Sequence, residues 1–119
     1  IDASPPSYEL ILAKNLFKKQ ENGFIIIDIR NTLEQKKTGL IKGSIALSAF
    51  DDLGNFKQSF LKKYKDYVSF EDHVVFISTT GEISSILANG FEERLGAKNM
   101  YSLSGGIEKW ISDGWGLIK

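Results

Sequence analysis

Two short segments, Phe24-Ile25-Ile26-Ile27-Asp28-Ile29 and Val74-Val75-Phe76-Ile77, are almost unbroken runs of β-branched and aromatic residues. A strand wetted on one face alternates polar and apolar side chains. A strand that does not alternate is covered on both faces, as a central parallel strand between helical layers is. The rest of the chain supplies such layers. Ser4-Pro5-Pro6-Ser7 carries helix-start chemistry, and Tyr8, Leu12, Ala13, Leu16 and Phe17 then recur at helical spacing, which predicts an amphipathic helix to about Gln20, stopped by Asn22-Gly23. A short surface helix is expected from Asn31 to Lys37, then a glycine-punctuated loop and a strand at Ile45 to Leu47. Phe56, Phe60, Leu61 and Tyr64 mark a further helix, with Lys57, Lys62, Lys63 and Lys65 read as its solvated face. Behind Val74 to Ile77, a helix from about Glu82 is expected to bury the stripe Ile83, Ile86, Leu87, Gly90, Phe91 and Leu95, and Gly96 ends it. Met100 to Leu103 reads as a last strand, Ser104-Gly105-Gly106 as a tight turn, and Ile107 to Asp113 as a closing helix around Trp110. Alternation of this kind predicts an α/β fold with a mainly parallel sheet and right-handed crossovers.

The 119 residues suit one domain, expected to span 1–119. Lysine plus arginine and aspartate plus glutamate both total 15, so no net field draws in nucleic acid or an anionic membrane. Apolar runs fall far short of the roughly 20 residues that span a bilayer, and no membrane span is expected. The chain has no cysteine and one histidine, His73. Disulfides, thiolate metal sites and thiol chemistry are thereby excluded, and no metal or cofactor is expected. The compartment is open between cytoplasm and periplasm or export. The start at Ile1 instead of methionine carries the expectation that a leader or further chain was removed upstream.

In parallel sheets ligands gather outside the carboxyl ends of the strands, which singles out the loop Ser78-Thr79-Thr80-Gly81-Glu82-Ile83-Ser84 between strand and helix. Three segments together now resemble the rhodanese (sulfurtransferase) domain family. The first is Asp28-Ile29-Arg30 with Glu34 and Gly39-Leu40-Ile41-Lys42-Gly43-Ser44-Ile45, similar to that family's Asp-x-Arg, Glu and Gly-His-Ile-Pro-Gly-Ala pattern, with Leu40 and Lys42 in place of histidine and proline. The last is Asn99 to Trp110 with Gly114, where Gly105-Gly106 precedes a tryptophan-bearing helix. The middle one is the loop itself, which in the family reads Cys-x-x-Gly-x-Arg-Ser. Gly81 and Ser84 match it, while Ser78 stands at the nucleophile position and Ile83 at that of the arginine. The resemblance implies a single rhodanese-like domain with a central five-stranded sheet, and structural roles for Asp28, Arg30 and Glu34.

In that family a cysteine thiolate takes sulfane sulfur as a persulfide and passes it to a thiophilic acceptor. A serine hydroxyl ionises far less readily, and oxygen makes no useful counterpart of the persulfide. Hydrolase chemistry at Ser78 requires a base within about 3 Å, yet His73 lies five strand residues away, roughly 16 Å at 3.3 Å per residue. A phosphatase on a related loop needs both a cysteine and an arginine, and the loop carries neither. The backbone of residues 78–84 and the hydroxyls of Ser78, Thr79, Thr80 and Ser84 form a candidate anion site at a helix N-terminus. Glu82 and the missing arginine oppose it, and helix capping is the plainer use of the same hydroxyls. Ile83 is expected to be buried in its helix stripe. Asp28 is expected to accept hydrogen bonds from loop backbone, and Arg30 and Glu34 to pair across the next turn. The leading reading is a catalytically inactive rhodanese-like domain, a binding or regulatory module for an unknown protein partner or small anion. The alternative is a sulfurtransferase whose cysteine has been replaced by Ser78.

Overall fold

In the computed structural model, residues 8–119 are described. Five parallel strands form one sheet, in the order β1-β5-β4-β2-β3: β1 Glu9–Ile11, β2 Ile25–Asp28, β3 Ile45–Ala46, β4 Val74–Ile77 and β5 Met100–Leu103. The two apolar runs lie side by side at the centre, with Ile25 opposite Val74 and Asp28 opposite Ile77. Four helices join the strands, α1 Ala13–Glu21, α2 Thr32–Thr38, α3 Gln58–Tyr67 and α4 Glu82–Leu95, and α5 Gly106–Ser112 follows β5.

Successive strand residues point to opposite faces, so each central strand feeds two cores. Ile26, Val75, Ile77 and Leu103 pack with Leu16 of α1 and with Ile107 and Trp110 of α5. Ile27, Val74, Phe76 and Met100 pack with Phe60 of α3 and with Ala88 and Phe91 of α4. Trp115 caps the first side, its ring 5.4 Å from that of Trp110 and 6.3 Å from that of Phe17. No helix among the described residues is long and apolar enough to cross a membrane.

Two expectations are corrected. The N-terminal helix was expected to run unbroken from its start signal through Tyr8 and Leu12. Ser4 to Ser7 lie outside the described residues, but Glu9–Ile11 is a strand paired with β5, and the helix begins only at Ala13. Leu10 and Leu12 are exposed while Ile11 is buried, a period of two hidden among residues that also fit a period of 3.6. The second correction concerns α4, where Ile83, Ile86 and Leu95 are exposed and the buried residues are Ser84, Ala88 and Phe91. Phe91 and the partly buried Leu87 of the expected stripe do face the core, beside the small Ser84 and Ala88, while Ile83, Ile86 and Leu95 are turned outward.

Candidate functional site

The site loop leaves β4 at its carboxyl end and enters α4 at Glu82. Its shape comes from two glycines far apart in sequence. Gly81 has φ +96°, open to glycine at little cost. Gly106, at φ +62°, lets the start of α5 approach so closely that an added Cβ would lie 2.4 Å from the Ser78 carbonyl oxygen and 2.6 Å from that of Thr79. The N–H groups of Ile107 and Glu108 donate to those two carbonyls, each at 3.0 Å. One helix end therefore holds the loop while another receives it.

Ser78 is buried. Its Oγ accepts from the N–H of Gly81 at 3.1 Å and of Ser84 at 3.2 Å, and donates to Ser84 Oγ at 2.9 Å. Ser84 Oγ lies 2.7 Å from Ser102 Oγ, which accepts from Ser85 Oγ at 3.1 Å. A chain of hydroxyls thus runs beneath α4 from the loop to β5. Ser85 and Ser102 did not figure among the expected site residues. Ser102 is the one polar residue of its strand, and a buried hydroxyl in an apolar strand signals a partner nearby.

Asp28 and Arg30 are both buried. The Asp28 carboxylate accepts from the Arg30 backbone N–H at 3.0 Å, as loop backbone was expected to provide, and also from the guanidinium, with Nη2 at 2.8 Å and Nε at 3.1 Å. The remaining donors reach Thr38 Oγ1 and the Gly39 carbonyl. The expected Arg30–Glu34 pair does not form. Arg30 precedes α2, so its fork turns back to the strand end, and Glu34 accepts a 2.7 Å hydrogen bond from Thr79 Oγ1 instead. Gln35, unnoticed in the sequence, donates to the carbonyls of Asp28 and Arg30.

In front of the loop lies a cavity of about 400 Å³, lined by Arg30, Glu34, Phe50, Asp51, Asp52, Ser78, Thr79, Thr80, Ile83 and Ile86 among others. Its only cation is Arg30, whose charge is matched by Asp28. Asp51 is held below the usual carboxylate range, chiefly by the N–H of Asn55, with a smaller contribution from the charge of Lys57. Ile83, expected in the core, is 49% exposed at the cavity wall. His73 is at the opposite end of β4, stacked 4.6 Å from Phe24 and hydrogen-bonded through Nδ1 to the Tyr101 hydroxyl.

A model of the rhodanese-like domain matches residues 12–113. The chain belongs to the rhodanese-like domain family. No curated protein sequence matches it. Among solved structures it is similar to a rhodanese-related protein from Thermoplasma volcanium, with 24% identity over 93% of this chain and 98% of that one and a TM-score of 0.68. It is similar to the polysulfide-sulfur transferase homodimer of Wolinella succinogenes, with 22% identity, 94% and 79% coverage and a TM-score of 0.70. The rhodanese-like domain of an Anabaena protein shares 20% identity over 96% and 78% of the two chains, with a TM-score of 0.67. At these identities the likeness is one of fold. In this rhodanese-like domain the strand-to-helix loop carries Ser78 and Ile83 where the family pattern has cysteine and arginine, and the chain contains no cysteine.

Proposed function

We propose that this rhodanese-like domain performs no sulfur transfer and acts as a binding or regulatory module through the Ser78 loop and the cavity before it. The observation that carries this reading is the state of the Ser78 hydroxyl. It fills the point where the Gly81 and Ser84 N–H groups converge, and its own proton is committed to Ser84. Those N–H groups would lower the pKa of a thiolate, whereas a neutral hydroxyl without a base neither attacks sulfane sulfur nor carries it. The surroundings also disfavour thiosulfate. Glu34, Asp51 and Asp52 line the cavity, Glu82 stands at the loop, and Arg30 is neutralised by Asp28. The same carboxylates weigh against a small-anion role for residues 78–84, and Asp28, Arg30 and Gln35 read as the frame that holds the loop's neighbour in place.

A second reading, a sulfurtransferase silenced only by replacement of its cysteine, is favoured by one observation: the two N–H groups still converge on the side-chain atom of residue 78. Thiocyanate formation from thiosulfate and cyanide, measured for the native sequence and for Ser78→Cys, separates the two. The native sequence is expected to stay at the uncatalysed rate, and turnover by it would overturn the non-catalytic reading. Inactivity of a folded Ser78→Cys form is expected from the acidic cavity. Rapid turnover by that form would favour the second reading.

A further inference from the structure

The outward face of α4 and the 50–56 loop border a groove of adjoining depressions that the Ser78 hydroxyl does not explain. Ile86, 71% exposed, borders three adjoining depressions: the cavity before the loop, a second beside Phe50 and Phe56, and a third toward Leu10. Ile83 continues this ridge, and Leu53, in the 50–56 loop, stands 86% exposed. Apolar side chains so placed are available to a partner. One end of the groove is acidic, with Glu34, Asp51 and Asp52 facing the same space. The cations nearby offset it only in part, Lys57 acting on Asp51. Arg30 is paired with Asp28, Lys57 lies in a neighbouring depression beside Asp51, and Arg94 lines the far one.

We infer that this groove takes a segment of a partner protein in which lysine or arginine alternates with apolar residues. The cation meets Glu34, Asp51 and Asp52, and the apolar side chains lie on Ile83 and Ile86. Charge complementarity selects the partner and its approach, and burial of the isoleucine ridge supplies affinity. A small cation would leave the ridge uncovered, and an anion would face three carboxylates. The inference rests on the proposed binding role and names the chemistry of what is bound.

The test is a titration of the 15N-labelled chain, followed by amide shifts, with the synthetic peptide Leu-Arg-Leu-Leu-Arg-Leu and with versions carrying glutamate for arginine or serine for leucine. The expected result is shifts confined to residues 50–54 and 78–86 with the first peptide. Asp52→Lys and Ile86→Ser, both at exposed positions, should each weaken it by about tenfold or more. Absence of shifts, equal shifts with the glutamate peptide, or binding indifferent to Asp52→Lys would overturn the inference. So would the same amides responding to millimolar sulfate, which would mean an anion site, or to protein concentration alone, which would mean a second copy of the chain. Sulfur transfer measured on the same sample keeps the two readings apart: turnover by the native sequence defeats the non-catalytic role, whereas an inactive chain that ignores the peptide defeats only this inference.

Discussion

The side chain of Arg30 is 2% exposed, and its charge is compensated by one carboxylate. Deleting one partner of a buried pair leaves the other charge without compensation, at a cost of about 3–5 kcal/mol, far more than a surface pair is worth. Asp28→Ala should lose stability of that order in urea unfolding. An unchanged midpoint would show that the pair does not hold the loop frame. Position at the end of an apolar run marked Asp28 as a buried, hydrogen-bonded carboxylate, and that much was legible. The partner of Arg30 was not. The four-residue spacing to Glu34 suits two residues on one helix, but Arg30 lies before the helix begins. The hydroxyl chain from Ser78 to Ser102 was illegible for a different reason. Its decisive links join Ser84 and Ser85 to Ser102, 18 and 17 positions away, and only the packing of α4 on the sheet brings them together.

At the scale of elements, the loop takes its shape from α5. Gly106→Ala should cost well beyond the about 1–2 kcal/mol of a left-handed conformation, because the new Cβ meets two carbonyl oxygens at once. Gly114→Ala is the control: its φ is +89° and nothing lies within 4 Å of the added atom, so only the conformational part should appear. Comparable losses in thermal denaturation would show that the close approach is unimportant. Ser104-Gly105 read correctly as a turn, since turn chemistry is local, while Gly106 already opens α5. That the turn also brings two N–H groups onto the Ser78 and Thr79 carbonyls is a tertiary fact. The inner face of α4 was legible at Leu87 and Phe91 but misread at Ile83, Ile86 and Leu95, because aliphatic periodicity outweighed the small residues Ser84 and Ala88. Strand β1 was missed because its short period of two lies among residues that also fit a period of 3.6.

Across the whole molecule, one sheet serves two cores, so neither can melt while the strands between them persist. Ile29→Val and Ile107→Val, on opposite sides, should each cost about 0.5–1.5 kcal/mol. Their double form should match the sum within about 0.5 kcal/mol, in a single transition by circular dichroism. Two separated transitions would contradict a shared sheet. The layered α/β class was readable from alternation alone, because apolar runs between amphipathic helices admit few other arrangements. The strand order carries no such local signature, and β1 at the edge came from pairing alone. The indoles add a practical consequence. The chain's two tryptophans face each other at 5.4 Å, and Trp110 donates its ring N–H to the Gly116 carbonyl from the very helix that grips the loop. Intrinsic fluorescence is thus a built-in optical gauge of whether that helix is seated, readable without a label at every step from folding to recognition.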